Sequence, residues 1–464
     1  MLEIIPPRKL NLCLGDFIII AFLQIPAFFI IAEKGYIFNF IKSHFWAFLL
    51  VPFVWVFVFY TSRVYEVIEE TRDKISDTNI LIKAAIISII ILGFFFYLLQ
   101  PLIDFPQRVL LIHGFLVIVI LYFWRLIFIK LIHRKSAFKR VLILGTDWPA
   151  REVAREIIMH PNLGYALVGF IESLKLSEEE KAEIFEKKII LGKEEEIMEI
   201  AEKYQIDLVI SALPEKISQK VIKSLLKLQQ KGISIVEMPD FYEKITRKIP
   251  IEHLRSSWVI LGQFKEITKI GLTLESLLNI LFAFIFLILF FPLMFITALL
   301  IKLEDKGPIF YCQKRVGKKN KIFSSIKFRT MKPEAEKETG PIWTTEDDSR
   351  ITKTGRWLRK WRLDELPQLI NVLSNQMVFV GPRPERPEFV EKLEKQIPFY
   401  NLRHLVRPGL TGWAQVKFRY SASIRDTLEK LQYDLYYIKH RSFLFDLIII
   451  LKTIEVVLTG RGAR

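Results

Sequence analysis

The sequence predicts three units in one chain: a membrane α-helical bundle, an α/β Rossmann-like domain, and a mixed α/β domain that carries the candidate catalytic residues together with a re-entrant membrane helix. Four nearly uncharged apolar runs crowd the start of the chain, a strand-turn-helix alternation begins abruptly at Lys139, and a fifth apolar run containing Pro292 introduces a segment dense in cations and carboxylates. At 464 residues the chain exceeds one ordinary core. The expected boundaries are 1–135 for the bundle, 136–246 for the Rossmann-like domain, 247–268 for a linker and 269–464 for the last domain. Hydrophobic residues make up 51% and charged residues 25%, so the two kinds must be segregated along the chain, as in a membrane protein with water-exposed parts.

The four runs are Phe17 to Ala32, Phe45 to Tyr60, Ile80 to Leu99 and Val109 to Ile129. Each approaches the roughly 20 residues that cross about 30 Å of hydrocarbon. Lys83 and Arg125 lie near run ends, where such side chains are expected to snorkel. No small-residue cleavage site follows Ala32, so the first run is read as retained. Arg63, Arg72 and Lys74 separate runs two and three, and Lys130, Arg134 and Lys135 follow run four, against Lys34, Lys42 and Arg108 in the opposite loops. Positive-inside bias puts both termini in the cytoplasm. With nothing polar in the runs to suggest a transport path, the bundle reads as an anchor.

A formal charge of +16 suits nucleic acid, anionic lipid or phosphorylated small molecules, and the spans give lipid and phosphate precedence, with no nucleic-acid partner expected. Cys13 and Cys312 are far apart and lack CxxC spacing, which excludes a disulfide framework and a zinc site and suits a reducing cytosol.

The middle domain opens on the buried-strand pattern Arg140-Val-Leu-Ile-Leu-Gly145, with a helix over Ala150 to Met159. Further strands are expected at Ala166 to Ile171, Lys188 to Leu191, Leu208 to Ser211 and Ile233 to Glu237, separated by helical stretches at Glu194 to Tyr204 and Ser218 to Lys231. The turn Gly145-Thr-Asp-Trp-Pro-Ala150 lacks the second and third glycines that let a pyrophosphate approach the backbone, so a structural or regulatory module is favoured over a dinucleotide site.

The fifth run, Ile280 to Ile301, is uncharged and holds Pro292, which cannot donate the helical hydrogen bond. A single crossing would put the last third outside, so a helix that enters and returns, over about 276–303, is the expected form. Lys302 to Lys332 then holds ten Lys or Arg, expected to attract anionic lipid head groups at about 1 kcal/mol each. The densest chemistry is Trp357 to Asn371 followed by Val380-Gly-Pro-Arg-Pro384, where Asp364 and Glu365 stand among forked cations. A carboxylate can attack phosphorus, while Mg²⁺ and Arg neutralise charge on phosphoryl oxygens. Arg383, between Pro382 and Pro384, is held at low entropic cost.

Seven ordered blocks, Lys327-Phe-Arg-Thr-Met331, Asp348-Ser-Arg-Ile-Thr-Lys-Thr-Gly355, Leu358-Arg359, Asp364-Glu-Leu-Pro-Gln368, Asn371-Val372, Gly381-Pro-Arg-Pro384 and Arg407-Pro-Gly-Leu-Thr-Gly-Trp-Ala-Gln-Val416, resemble the bacterial sugar transferase family, the monotopic phosphoglycosyl transferases. The resemblance covers about Lys269 to Arg464, and the whole arrangement is similar to the long form that primes O-antigen, capsule and exopolysaccharide synthesis. It implies that Asp364 attacks the β-phosphate of a UDP-sugar and releases UMP, and that polyprenyl phosphate, expected to be undecaprenyl phosphate, then accepts the phosphosugar. It further implies Mg²⁺ held by Glu365 with Asp364, phosphate binding by Arg359, Arg383, Lys327 and Arg329, support from Gln368, Asn371, Pro382, Pro384 and Arg407, and a membrane break at Pro292. The expected location is the bacterial inner membrane, with the catalytic domain on the cytoplasmic face and membrane packing compatible with a homodimer.

Two departures stand out: Phe291-Pro292 where the family often has Ser-Pro, and Asn375-Gln-Met-Val378 where it has Gly-Asp-Met-Ser. Tyr433-Asp434, Tyr436-Tyr437 and Phe445-Asp446 also match family positions and read as packing or interfacial residues. His404 and His440 read as structural. The competing enzyme, a membrane-anchored nucleotide-sugar dehydratase or epimerase, requires an intact glycine fingerprint and a Tyr-x-x-x-Lys pair, and neither follows Gly145. A non-catalytic nucleotide-sensing scaffold would not need the Asp364-Glu365 pair.

Overall fold

The computed structural model describes residues 7–31, 45–62, 64–65, 74–99, 107–135, 138–172, 190–212, 218–253, 269–305, 307–332, 348, 350–418 and 423–458. The chain divides into two compact units, Met1–Glu237 and Met238–Arg464.

The first unit opens with helices α1 (Pro7–Ile31), α2 (Phe45–Thr61), α3 (Lys74–Leu99) and α4 (Gln107–Lys135), which overlap the four predicted runs. In α1, α3 and α4, the stretches Leu10–Ile30, Asn79–Tyr97 and Arg108–Phe128 are long and apolar enough to cross a membrane. With 17 residues, α2 is shorter, about 26 Å at ~1.5 Å per residue. Trp55, Phe59, Leu81, Leu92, Val117 and Leu121 form one buried cluster between the helices. Phe22, Ile90, Phe94, Leu111 and Phe115 are all more than 60% exposed on the outside. A bundle apolar both inside and outside is built for lipid rather than water.

One expectation is corrected here. Arg125 does not snorkel; it is buried on α4, and its Nη2 donates to Asp16 Oδ2 of α1 at 2.8 Å. Its guanidinium also lies 5.9 Å from the centroids of the Phe59 and Tyr65 rings. Asp16 is fully buried and sits one residue before the predicted start of the first run, so the bundle does contain a polar pair. Inside an apolar bundle a charge is tolerated when an opposite charge meets it, and that pairing replaces the route to the surface.

The rest of the unit is a parallel five-stranded sheet in the order β3-β2-β1-β4-β5, built from β1 (Lys139–Leu144), β2 (Tyr165–Glu172), β3 (Ile190–Lys193), β4 (Leu208–Ser211) and β5 (Ser234–Glu237). This is the predicted alternation, with Lys188 and Ile189 of the expected third strand outside the described residues. Val141 to Leu144 are all fully buried, as a central parallel strand covered on both faces requires. The crossover helices are α5 (Trp148–Met159), α6 (Ile197–Lys203) and α7 (Gln219–Gln230), the last capped by Ser218, whose hydroxyl accepts from Val221 N. Gly145 has φ +118°, and a Cβ there would stand 2.9 Å from the Ala212 carbonyl oxygen. It is therefore the predicted turn glycine, needed where the ends of β1 and β4 converge.

The second unit begins earlier than residue 246, with α8 (Met238–Thr246). The reason is contact with distant parts of the same unit: Glu243 accepts from Lys439 Nζ at 2.7 Å, Ile249 N donates to the Gln432 carbonyl, and Trp413 Nε1 donates to the Arg247 carbonyl. Of the expected linker, residues 247–253 pack here and 254–268 lie outside the described residues. Next comes α9 (Lys269–Asp305), one helix of 37 residues that continues without a gap through Pro292, where a break was expected, because a proline removes one helical hydrogen bond without having to end the helix. The unit's other elements include the antiparallel hairpin β6 (Phe310–Val316) and β7 (Ile322–Phe328), α10 (Lys353–Lys360), a 3₁₀ helix over Leu363–Gln368, the short parallel pair β8 (Val378–Val380) and β9 (Gly409–Thr411), and the long helices α11 (Ile424–His440) and α12 (Phe443–Leu458).

Helix α9 packs by one stripe. Ala283, Phe286 and Leu287 meet Phe323, Leu369, Val372 and Met377. Further along, Met294, Ala298 and Ile301 meet Phe328 and Leu358. Ile288, Leu289, Phe291 and Phe295, on the other faces, are each more than 60% exposed. Both ends are tied to the same unit. Glu275 pairs with Arg407 at 3.3 Å and with Arg441, and Asn279 Oδ1 accepts from Phe379 N at 2.8 Å. At the other end, Glu304 accepts from Lys353 N at 2.8 Å, and Asp305 pairs with Arg329.

Candidate active site

The candidate carboxylates stand at a junction that local chemistry builds. Thr352 caps α10 by accepting from Gly355 N at 2.9 Å, while the Glu304 carboxylate takes the Lys353 and Thr354 amides. Gly355 lies against the Thr330 carbonyl, where any Cβ would overlap. The helix ends at Trp361; Arg362 adopts left-handed φ 53°, and the chain re-enters as the 3₁₀ helix, with Asp364 and Glu365 in its first turn. At three residues per turn, neighbouring side chains diverge by about 120°.

The divergence gives the two acids different surroundings. Glu365 receives Arg383 Nη2 at 2.6 Å and Lys327 Nζ at 2.8 Å on Oε1, with Arg383 Nη1 at 3.4 Å and Arg362 Nη1 at 3.9 Å from Oε2. Burial pushes Glu365 up, but the Arg383 and Lys327 charges and the Arg383 hydrogen bonds outweigh it and hold the carboxyl well below its ordinary range. Asp364 is only 9% exposed. Burial first, then the Glu365 charge, raises it to about 6, against the pull of Lys327, Arg359 and Arg383. Arg359 is oriented by its Nε donating to Thr330 Oγ1 at 2.9 Å.

Arg383 is fixed from behind. Its carbonyl accepts from Arg403 Nη2 at 2.9 Å, and Arg403 also pairs with Asp434 at 2.8 Å and donates to Tyr400 Oη at 2.6 Å, with the pair almost fully buried. Arg315 donates to the Pro384 carbonyl at 3.0 Å. Gly381 closes on β9: its N donates to the Thr411 carbonyl, and a Cβ there would stand 2.6 Å from the Arg407 carbonyl oxygen. Tyr437 Oη lies 2.9 Å from the Val380 carbonyl and 2.8 Å from Asp446 Oδ1, so α11 braces the strand that leads to Arg383. Burial raises the Asp446 carboxyl to about 7; protonated, it can donate to Tyr437 Oη and leave the single hydroxyl proton for the Val380 carbonyl.

The structure thus brings together Asp364, Glu365, Lys327, Arg383 and Arg359. Arg329 pairs with Asp305 and Arg407 with Glu275 and Asn375, so neither joins the ion pairs around Glu365. Asn371 is a clamp: its Oδ1 accepts from Ile326 N at 3.1 Å and its Nδ2 donates to the Ser324 carbonyl at 2.7 Å, joining the acid-bearing segment to β7. Gln368 and Pro382 are buried. Asn375 takes left-handed φ 56°, so the turn that replaces Gly-Asp-Met-Ser keeps the backbone a glycine would allow. Sequence reasoning missed Arg362, Thr330 and Arg403; the doublet Tyr433-Asp434 was the available signal for the last.

The position relative to the apolar helix is equally specific. Leu363 and Leu366, which bracket the two acids, pack into one cluster with Met294, Ala298 and Ile301 of α9. Trp357 and Trp361, on the approach to the acids, are exposed by 46% and 43%.

Comparison with known proteins places residues 270–460 under the profile of the Bacterial sugar transferase family and residues 65–239 under that of a CoA-binding domain. The chain is 43% identical over 232 residues to the UDP-N-acetylgalactosamine-undecaprenyl-phosphate N-acetylgalactosaminephosphotransferase of Aeromonas hydrophila, covering 50% of this chain and 54% of that protein. It is 31% identical over 338 residues to the UDP-glucose:undecaprenyl-phosphate glucose-1-phosphate transferase of Xanthomonas campestris pv. campestris, covering 70% and 68%. To the exopolysaccharide production protein ExoY of Rhizobium meliloti it is 35% identical over 211 residues, covering 42% of this chain and 91% of that protein.

Proposed function

We propose a function from this premise: the chain belongs to the bacterial sugar transferase family, in the long form that sets apolar helices and an α/β domain ahead of the transferase region. It moves a sugar-1-phosphate from a UDP-sugar to undecaprenyl phosphate at the cytoplasmic face of the bacterial inner membrane, the first membrane step of a surface polysaccharide. The observation that carries this reading is the setting of Asp364: a buried acid beside Lys327, Arg359 and Arg383, on a turn whose flanking leucines pack on the apolar helix α9. A water-soluble pyrophosphate and a lipid phosphate can both reach such a place.

In the first step an Asp364 oxygen attacks the β-phosphorus, the bond from that phosphorus to the bridging oxygen breaks, and UMP leaves with the bridging oxygen. In the second, an oxygen of the lipid phosphate attacks the same phosphorus and frees the Asp364 carboxylate, giving the lipid diphosphate sugar. Arg383 and Lys327 face the transferred phosphoryl group, and Arg359 faces the donor pyrophosphate.

Among the described residues no group of three or more His, Cys, Asp or Glu side chains comes together. Asp364 and Glu365 alone, with Glu365 tied to two cations, do not fit a resident metal. They do fit a Mg²⁺ ion that takes its other ligands from substrate phosphate and water. Such an ion, brought on the pyrophosphate and held by Asp364 and Glu365, would neutralise phosphoryl charge.

Two observations support a re-entrant α9: both its ends are anchored on one unit, and the faces away from that unit are apolar and exposed. The unbroken 37-residue helix, about 56 Å at ~1.5 Å per residue, is long and apolar enough to cross. This reading therefore requires a bend at Pro292, which would leave arms over 276–291 and 293–303 of about 24 and 17 Å, each short of a full crossing.

The test offers the purified chain undecaprenyl phosphate, MgCl2 and a panel of UDP-sugars. UMP release with one sugar is expected; UDP release, or none with any donor, sinks the proposal. The pH profile follows from Asp364, whose raised pKa leaves it ionised only above about 6. UMP formation should therefore fall about tenfold per unit below pH 6 and level off above about 7, with Glu365 charged throughout. A flat rate from pH 5 to 8 would remove Asp364 from the first step. Arg383→Lys should lower kcat about 10²-fold, because an ammonium cannot reproduce the two-pronged contact and loosens Glu365 as well; an unchanged kcat would place Arg383 outside the reaction.

A further inference from the structure

At the turn end of the β6–β7 hairpin lies a pocket of about 460 Å³ lined by Leu272, Lys318, Lys321, Phe323, Asn375 and Arg407 among others. It is not the Asp364 site: Lys321 and Lys327 are six residues apart along β7, about 20 Å at ~3.3 Å per residue. Lys318, Lys321 and Arg407 line it, Arg441 stands behind Arg407, and Glu275, shared by Arg407 and Arg441, is the one carboxylate paired with them among the described residues. No described carboxylate pairs with Lys318, Lys319 or Lys321. Burial, then the charges of Arg407, Arg441 and Lys319, holds the Lys318 ammonium below its ordinary range, a penalty that an anion in the pocket would remove.

The apolar half is equally defined. Leu272, Ile322 and Phe323 form its apolar wall, and Leu272 and Ser276 belong to α9. Beside them on the same helix, Ile270, Leu274, Leu277 and Leu281 are exposed by 81%, 57%, 59% and 52%. A site with surplus positive charge at one end and an open apolar helix at the other has the chemistry of an amphiphile with an anionic head.

We propose that this pocket binds the phosphate head group of a membrane lipid, separately from the Asp364 cluster, with the lipid chain laid along the N-terminal half of α9. The inference rests on α9 lying in the bilayer and leaves the transfer chemistry untouched. The lipid is either an anionic phospholipid or a polyprenyl phosphate held outside the reaction centre.

Native mass spectrometry of the full chain released from detergent micelles tests it, with phosphatidylglycerol, undecaprenyl phosphate and phosphatidylcholine offered in turn. Retention of either of the first two over phosphatidylcholine is expected, and which one is retained identifies the source. Lys318→Gln with Lys321→Gln should weaken retention about 25-fold, at about fivefold per basic residue near an anionic head group. Lys318→Arg with Lys321→Arg should keep it. Acceptor-free UMP release should persist in both variants, which shows that the fold and donor site survive. Equal retention in the Gln variant, equal retention of phosphatidylcholine, complete displacement by millimolar inorganic phosphate, or loss of UMP release together with the lipid would each overturn the proposal.

Discussion

Asp364→Asn abolishes UMP release from the UDP-sugar, by about 10³-fold or more, while the protein stays folded. The amide keeps the shape of the carboxyl but carries neither the charge nor the nucleophilic oxygen. In the folded chain Asp364 is raised to about 6, so above that pH an ionised acid is held in a buried place beside Glu365. Its neutral replacement relieves that repulsion, and thermal unfolding in detergent should show an equal or higher midpoint. Full UMP release from this variant, measured with excess donor and undecaprenyl phosphate both present, would reject the covalent route and leave direct transfer between the two substrates.

Arg403→Leu should give the largest loss of stability, about 3–5 kcal/mol, because it strands the Asp434 carboxylate in the interior. The pair is 3% and 2% exposed, and the same guanidinium holds the Tyr400 hydroxyl and the Arg383 carbonyl. Thermal unfolding in detergent checks the loss, and replacing Asp434 by Leu as well should recover part of it by removing the orphaned charge. An unchanged midpoint in the single variant would show that the buried pair contributes nothing to the fold.

The parts of this architecture that were legible in the sequence share one property: their signal is local. Val141 to Leu144 are uninterrupted apolar residues before a glycine turn, and the strand lies there. The apolar runs are continuous, and the helices cover them. What the sequence hid is pairing at a distance. Asp16 and Arg125 are 109 residues apart, and Arg403 and Asp434 are 31 apart, so no periodicity links them. The unit boundary was displaced because Met238 to Thr246 looks like any surface helix until Glu243 finds Lys439 and His440. Around the acids, the blocks pointed to the residues that the structure brings together, and the resemblance implied different roles for Asp364 and Glu365, but the geometry that separates them was invisible. A 3₁₀ turn entered through a left-handed Arg362 sends Glu365 to the cations and leaves Asp364 desolvated, and no residue spacing announces that turn.

The Asp16–Arg125 contact has a consequence for how the chain enters its membrane. The first helix brings a carboxylate whose counter-ion arrives only with the fourth, after most of the bundle has been synthesised. Until α4 is beside it that acid lacks its partner, so the α1–α4 contact can form only after both helices have been made. Fragments cut anywhere between them would separate the pair and leave Asp16 without its counter-ion, so α1 expressed without α4 is expected to insert less well than the two together.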